Sequence, residues 1–343
     1  MQNILKWEEI KRDFKDGLLL GNGASVAVNK SFNYRSLYEE AIRLGHITEP
    51  VQDVFESFGI NDFELVLRRL WQALLVNRAL GISPGKVEEA YKEVQNALIS
   101  TIRDIHVEHS SVLPDLELIF PFMKDFKTVI SLNYDLIVYW AAMLGNKSHG
   151  RWFKDCFLPT IFSEDWKSLR DNYGAAGTTL FFYPHGNLVL TRKDFVLERK
   201  VNSSDYNNLL DSILDRWVDE SEIPLFVCEG TKKAKEQTIS ESSYLRCVFR
   251  EVLPDIGSSL VVYGWGMAEQ DEHIIEQIKR AGIKRIAISV YQNDETYMEH
   301  VRRVLKPFNL AECVFFDAES AGCWNNPPSE SINSSGFDYG AEV

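Results

Sequence analysis

Four short groups of residues in the 343-residue chain combine glycine with polar side chains suited to chemistry. They are Gly21 to Ser25, Asn133 to Asp135, His185 to Asn187, and Gly264 to Gly266. Glycine lets the backbone approach a ligand closely. Amide and carboxylate side chains orient hydroxyl groups, and an imidazole exchanges protons near neutral pH. These residue types therefore predict a site that binds a polar ligand and moves a proton on it.

Each group directly follows a predicted strand. The apolar runs are in "LLLGNGAS", "KTVISLNYD", "TTLFFYPHGNLVL" and "SSLVVYGWG", and "IPLFVCEG" and "AECVFFDA" are further strand candidates. Short unbroken apolar runs are typical of strands buried in a parallel sheet. Ligands bind beyond the carboxyl ends of such strands. We therefore expect the four groups to meet at one edge of the sheet.

The order of these segments predicts an α/β protein with a Rossmann-like open parallel sheet covered by helices. Residues 1–45 and 126–322 are assigned to this domain, since the sheet resumes near Lys127 and includes a β-α-β unit over 258–294. Apolar residues at helical spacing in "NDFELVLRRLWQALL" predict an all-helical insertion over 46–125. Residues 323–343, rich in Asn, Pro, Ser and Gly, are predicted to form a disordered tail.

Composition excludes several classes of partner. The net charge of −13 would repel nucleic acid, and no apolar segment reaches the length of a membrane span or a signal peptide. We therefore expect a soluble, cytoplasmic protein. The five cysteines contain no C-x-x-C pair, so no metal site is predicted. His106 and His109 could be metal ligands at i, i+3 spacing, but a solvated helix end is the favoured interpretation.

Taken singly, each glycine and polar group also has a purely structural interpretation. Asn133 and Asp135 could cap a helix, His185 could be satisfied within a tight loop, and the late glycines could serve a turn. The first group matches only the opening of the dinucleotide fingerprint, because Val26 stands where the third glycine would be. The occurrence of all four groups after strands of one sheet favours a binding site.

The motifs "GNGAS", "SLNYD", "FFYPHG" and "VVYGWGMAEQDEHI", in this order, resemble those of the sirtuin-like superfamily. The resemblance covers about residues 15–318, and it is nearest to bacterial sirtuin-like domains that consume NAD in anti-phage defence. It implies a Rossmann-like fold with NAD bound as the substrate. Protein deacylases of the family carry a zinc module with paired cysteines, which this chain lacks. The resemblance therefore points toward hydrolysis of NAD.

Roles follow for each candidate residue. The resemblance implies that Asn133 fixes the ribose hydroxyls and the attacking water. Asp135 is expected to orient Asn133 or the ribose, or to stabilise positive charge as it develops. His185 is the expected general base, because an imidazole with an ordinary pKa near 6.5 accepts a proton at cytosolic pH. Backbone N–H groups of the first glycine loop are expected to cradle the pyrophosphate, and the late turn to shape the adenosine end; these residues are Gly21, Asn22, Gly23, Ala24, Ser25, Gly264, Trp265, Gly266 and Asp271.

The expected function is that of an NAD glycohydrolase releasing nicotinamide and ADP-ribose. Uncontrolled loss of NAD would kill a cell, so we expect regulation through a homo-oligomer or a separate trigger protein. One alternative is a non-catalytic module that senses NAD or ADP-ribose through a partner. A deacylase or an ADP-ribosyl transferase is the least favoured interpretation.

Overall fold

The computed structural model describes residues 4–33, 36–172, 174–193, 196–202, 208–219, 222–227 and 232–329. It contains two sheets. Strands β1 to β10 are, in chain order, Gly17–Leu20, Thr128–Ser131, Phe153–Lys154, Thr179–Phe182, Gly186–Lys193, Leu197–Lys200, Glu222–Phe226, Ser259–Tyr263, Arg285–Val290 and Glu312–Asp317.

The main sheet has seven strands in the order β10-β9-β8-β1-β2-β4-β3, and every neighbouring pair is parallel. Strand β1 is central, with β2 on one side and β8 on the other. After β1, the chain adds β2, β3 and β4 on one side of the sheet. It later adds β8, β9 and β10 on the other side. The crevice between the ends of β1 and β8 is therefore a topological switch point, where open α/β sheets bind ligands.

The central strands form here because their side chains are apolar on both faces. Leu18, Leu19 and Leu20 are buried, as are the strand residues of β2 and β8 beside them. A parallel sheet covered by helices on both sides selects such continuous apolar runs. The predicted α/β fold with a Rossmann-like parallel sheet is confirmed.

Helices cover this sheet and fill the long connection from β1 to β2. Helices α1 to α13 are Trp7–Ile10, Asn22–Val28, Leu37–Arg43, Glu49–Phe58, Phe63–Leu80, Gly85–Ile105, His109–Lys124, Ile137–His149, Leu209–Asp219, Lys232–Ser240, Ser243–Cys247, Glu272–Arg280 and Glu295–Leu305. Residues 46–125, which are described without a gap, contain α4 to α7 and no strand, as the helical spacing predicts. Within the described ranges, none of these helices is long and apolar enough to cross a membrane.

The second sheet is not predicted by the sequence pattern. It has three antiparallel strands in the order β6-β5-β7. The run "TTLFFYPHGNLVL" is not one strand: β4 ends at Phe182, and β5 begins at Gly186. Gly186 has a φ of +78°, and a Cβ there would lie 2.0 Å from the carbonyl oxygen of Leu225. The turn therefore requires glycine, and it leaves His185 at the carboxyl edge of the main sheet.

The predicted start of the tail is wrong. Cys323 and Trp324 are buried, and the Trp324 Nε1–H donates a hydrogen bond of 2.8 Å to the carbonyl oxygen of Ala24. Asn325 Nδ2 donates to the carbonyl oxygen of Ala27 at 3.0 Å. This segment therefore packs against α2, the helix that contains most of the first glycine group. Residues 330–343 and Cys228 lie outside the described residues.

Candidate functional site

A cavity of about 970 Å³ opens at the carboxyl edge of the main sheet. It lies at the switch point between β1 and β8. The predicted residues in its wall are Gly21, Asn22, Gly23, Asn133, Asp135, His185, Gly264, Trp265, Gly266 and Asp271. Ala24 and Ser25 do not line it but are buried directly behind. The four sequence groups thus meet around one space.

The glycines of the first loop are needed for contact with the late turn. A Cβ on Gly23 would lie 2.8 Å from the Gly264 Cα, and one on Gly21 would lie 2.6 Å from the Trp265 Cα. Gly264 has a φ of +66°, and a Cβ there would lie 2.3 Å from the Ala24 nitrogen. The space that a Cβ on Gly23 would take is therefore occupied by the backbone of Gly264, and Gly23 is required for this internal contact.

Most of the loop N–H groups are also engaged within the protein. Gly21 donates to the carbonyl oxygen of Tyr263 at 3.0 Å, and Gly23 donates to that of Gly264 at 2.7 Å. Ala24 donates to the carbonyl oxygen of Gly21 at 2.9 Å. The predicted cradle of five free N–H groups is thus wrong for these three. The loop instead lines the cavity with its backbone and with Asn22, at the start of α2.

Asn133 is held by two hydrogen bonds from its amide group. Its Nδ2 donates to the carbonyl oxygen of Gly21 at 3.0 Å and to Ser25 Oγ at 2.8 Å. Ser25 Oγ in turn donates to Asp135 Oδ2 at 2.5 Å. Both amide protons of Asn133 are therefore used inside the protein, and its Oδ1 atom is left for a ligand.

Asp135 acts through Ser25 and the backbone. Its second oxygen, Oδ1, accepts the Ile137 N–H at 2.9 Å at the start of α8. Burial raises the pKa of Asp135, and the hydrogen bond from Ser25 opposes that rise. Through Ser25, Asp135 orients Asn133, which is one of its three predicted roles. The other two roles, orienting the ribose and stabilising positive charge, stay predictions.

His106 supports the turn that carries Asn133 and Asp135. Its Nε2 accepts the Leu136 N–H at 3.1 Å, and its Nδ1 lies 2.9 Å from the carbonyl oxygen of Val107. Burial lowers the pKa of His106, which keeps the ring neutral. The ring of His109 packs edge-on against Trp140 at a centroid distance of 5.1 Å. The expectation of a solvated helix end is therefore wrong, since His106 is buried support for the Asn133–Asp135 turn.

His185 is paired with a second histidine that the sequence analysis did not single out. The Nε2 atoms of His185 and His273 are 2.8 Å apart, and both side chains are buried. Burial and the nearby ammonium group of Lys235 lower the pKa of His185 to about 3 and that of His273 to about 4. The expectation that His185 titrates near 6.5 is thus corrected. It is a neutral imidazole and a weaker base than an exposed histidine.

Asp271 lies beside this pair. Its Oδ1 accepts from Lys235 Nζ at 2.9 Å, and its Oδ2 accepts from Trp265 Nε1 at 3.0 Å. Burial raises its pKa, but the ammonium group of Lys235 and the hydrogen bonds from Lys235 and Trp265 outweigh that effect and lower it overall. Asp271 directly precedes α12, but its side chain does not cap that helix. Asp271 instead joins the late turn to α10.

His185, Asp271 and His273 form a group whose potential metal-ligand atoms all lie within 4.8 Å of one another. Both carboxylate oxygens of Asp271 are already engaged, one of them by the ammonium group of Lys235, which a metal ion would have to displace. The imidazole centroids are 5.0 Å apart while the facing nitrogens are 2.8 Å apart, so the rings meet head-on. This geometry is that of a hydrogen bond between nitrogens, and the group is best described as a hydrogen-bonded network.

The helical connection supplies the opposite wall of the cavity. Asp62 lines it and caps α5 by accepting the Leu65 N–H at 3.0 Å. Burial raises the pKa of Asp62 to about 6. Burial and the neighbouring Asp62 raise the pKa of Glu64, which lies behind it, to about 7. Glu64 faces Arg192 of β5 at 3.4 Å, so this carboxyl pair joins the helical wall to the second sheet.

Glu64 predicts a pH dependence of stability. Its folded-state pKa is raised, so the fold binds more protons than the unfolded chain, and stability falls as pH rises from about 4.3 through about 7. We expect Glu64→Gln to flatten this fall, because glutamine does not ionise. Urea unfolding at pH 5, 6, 7 and 8 measures the effect. Glu93→Gln, on an exposed position of α6, is the matched control. Parallel pH profiles for wild type and Glu64→Gln would contradict the assignment.

Lys235, His273 and Asp62 are the site residues that sequence reasoning missed. Lys235 is the one lysine or arginine among the described residues that line the cavity. A histidine two residues after Asp271, at the start of a helix that follows a glycine turn, was the available signal for His273.

The fold and the cavity define a Rossmann-like α/β protein with a polar pocket at the carboxyl edge of its sheet. The chain belongs to the family described as a domain of unknown function, DUF4917, whose model matches residues 18–324. The match runs from β1 to Trp324 and so includes every residue of the cavity wall. No curated protein matches the sequence.

Proposed function

We propose that this protein is an NAD glycohydrolase, which cleaves NAD to nicotinamide and ADP-ribose. The observation that carries the proposal is the convergence of Asn133 and His185 on one cavity at the switch point of the sheet, beside Gly23. The volume of about 970 Å³ lies at the upper end of the range for ligand pockets, as a dinucleotide requires. The resemblance to bacterial sirtuin-like domains supports NAD as the substrate.

The reaction breaks the bond between the ribose C1′ and the nicotinamide nitrogen, and the electron pair leaves with nicotinamide. The cationic ring is a good leaving group, so the protein chiefly has to bind, orient and exclude solvent. Asn133 Oδ1 orients a ribose hydroxyl or the water. Water then adds to C1′ and loses its proton.

A proton acceptor of low pKa is adequate for this step. Water that adds to an oxocarbenium-like carbon becomes strongly acidic, so a weak base suffices to take its proton. His185 lines the cavity as a neutral imidazole, and its Nδ1 has no hydrogen-bond partner among the described residues. It therefore serves as the acceptor, while Asp135 and Ser25 hold Asn133 in place.

The second candidate function is a non-catalytic sensor of NAD or ADP-ribose. One observation favours it: three N–H groups of the first loop and both amide protons of Asn133 are already engaged within the protein. Such a site has few free hydrogen-bond donors that could stabilise a transition state. A deacylase or an ADP-ribosyl transferase remains the third candidate, and no contact in the described residues favours it.

Purified protein incubated with NAD tests the proposal. We expect nicotinamide and ADP-ribose in equal amounts, with no acyl-lysine peptide required. A carbon-linked NAD analogue, which binds but cannot be cleaved, is the control for binding alone. Tight binding of NAD without product over a wide range of protein concentration would favour the sensor, and release that depends on an acyl-lysine peptide would favour the deacylase.

The same proposal covers how the enzyme is regulated and in which process it acts. An enzyme that destroys NAD must be held inactive, so control by self-association or by a separate trigger protein is expected of it. A role in cytoplasmic anti-phage defence is supported by the resemblance. Turnover that rises with protein concentration would indicate self-association as the control.

A further inference from the structure

The cavity wall offers positive charge at one described side chain. A ligand that carries phosphate groups needs such charge, or hydrogen-bond donors, in the wall around it. Three N–H groups of the first loop are engaged within the protein, so this loop supplies fewer donors than the sequence pattern predicts. Lys235 of α10 is the one lysine or arginine among the described residues of the wall. Within the described part of the chain, Lys235 is therefore the leading candidate for contact with a phosphate.

Helix α10 directs its three lysines to different places. Lys232 Nζ lies 3.1 Å from Glu272 Oε2, so this side chain ties α10 to α12. Lys233 is exposed to solvent and does not line the cavity. Lys235 is only 5% exposed and does line it, as does Thr238 one turn further along the helix. The side of α10 that borders the cavity therefore carries an ammonium group and a threonine.

The ammonium group of Lys235 has hydrogen-bonding capacity beyond its ion pair. It carries three N–H donors, and Asp271 Oδ1 accepts one of them at 2.9 Å. Among the described residues, Asp271 is its one side-chain partner. The other oxygen of Asp271 accepts the Trp265 Nε1–H at 3.0 Å, which fixes the carboxylate and with it the position of Nζ. A buried ammonium group held in this way favours a further acceptor from the cavity.

We propose that Lys235 binds a phosphate group of the ligand, and that it anchors the diphosphate of a dinucleotide in place of the three engaged N–H groups of the first loop. The identity of the ligand rests on the proposed function, since the diphosphate is the anionic part of NAD. The ion pair with Asp271 leaves the site usable, because a charge-assisted hydrogen bond to phosphate takes donors that Asp271 does not use.

The position of Lys235 also suits the proposed reaction. In NAD, one ribose separates the diphosphate from the bond that breaks. His185 lines the same cavity, and it lies near enough to the ammonium group of Lys235 for that charge to lower its pKa. A diphosphate bound at Lys235 would therefore bring the adjoining ribose toward His185.

Isothermal titration calorimetry of the full chain with ADP-ribose and with adenosine tests this assignment. Neither ligand contains the bond that the proposed reaction cleaves, so binding is measured without turnover, and only ADP-ribose carries a diphosphate. We expect adenosine to bind wild type at least about 10-fold more weakly than ADP-ribose. We expect Lys235→Met to raise the Kd for ADP-ribose by about 10- to 100-fold and to change the Kd for adenosine by less than about threefold. Lys233→Met, on the same helix but exposed, is the matched control and should change neither value by more than about threefold.

A second variant separates the loss of the phosphate contact from damage to the fold. Lys235→Met leaves the Asp271 carboxylate without its cation, so urea unfolding is measured in parallel. The double variant Lys235→Met/Asp271→Asn removes both charges, and we expect it to fold and to show the same loss of affinity for ADP-ribose.

Three results overturn the assignment. They are an unchanged Kd for ADP-ribose in either folded variant, an equal loss of affinity for ADP-ribose and adenosine, and no binding of ADP-ribose to wild type. Failure of the proposed function is distinguishable from these. If the affinity for ADP-ribose depends on Lys235 but NAD is not cleaved, the phosphate site stands and the glycohydrolase proposal fails.

Discussion

Alanine at position 264 is expected to lower the free energy of unfolding by about 2 to 5 kcal/mol. Gly264 has a φ of +66°, in the left-handed region that costs a side chain about 1 to 2 kcal/mol. The new Cβ would also lie 2.3 Å from the Ala24 nitrogen, and overpacking of a tight contact costs about 1 to 3 kcal/mol. Urea unfolding of the purified variant measures the sum.

Substitutions at two other glycines separate the backbone strain from the overpacking. Gly81 has a φ of +67°, and no atom lies within 4 Å of the place that a Cβ would take, so Gly81→Ala reports the backbone strain alone. Gly266 lies two residues from Gly264, has no positive φ and has the same open space, so Gly266→Ala should stay within about 0.5 kcal/mol of wild type. If Gly264→Ala is as stable as Gly81→Ala, the close contact between the first loop and the late turn does not contribute to stability.

The positions of the four sequence groups could be predicted because the physics behind them is local. Apolar runs mark buried parallel strands, and parallel strands place their carboxyl ends on one edge. Asn133 and His185 are far apart in the sequence, yet both line the cavity beside Gly23. The pattern therefore predicted where the cavity forms, although each motif alone was weak.

The electrostatics of the site could not be predicted in the same way. The pKa of His185 depends on burial beneath α10 and α12 and on the ammonium group of Lys235, neither of which its own segment reveals. The same holds for the Asn133 amide, whose partners are a carbonyl and a hydroxyl more than 100 residues away. Long-range packing decides which polar atoms remain free.

Two local errors have specific causes. The run from Thr179 to Leu190 looks like one strand, although Pro184 and Gly186 mark the turn that divides it. In the C-terminal segment, polar composition averaged over 21 residues conceals Trp324, one side chain that buries its ring and bonds to Ala24. A single large apolar residue can order a segment that composition alone would leave unfolded.

Removal of the Asn133 side chain is expected to have the largest effect on turnover. Asn133→Ala deletes Oδ1, the atom that orients a ribose hydroxyl or the water in the proposed reaction, and loss of one preorganised polar group at a reacting centre typically lowers kcat by about 100- to 1000-fold. The same substitution also breaks the two internal hydrogen bonds to Gly21 and Ser25. Nicotinamide release at saturating NAD, measured alongside urea unfolding, separates the two effects.

Asn146 provides the matched control. Its side chain also makes two hydrogen bonds, to the carbonyl oxygen and the N–H of Phe153 at 2.9 and 2.7 Å, and it does not line the cavity. Asn146→Ala should therefore lose about the same stability, on the order of 1 to 3 kcal/mol, and keep its turnover. If both variants lose turnover in proportion to stability, Asn133 is a structural residue. Retention of activity in Asn133→Ala would exclude the amide from the reaction, because no other described side chain holds the same place between Gly21 and Ser25.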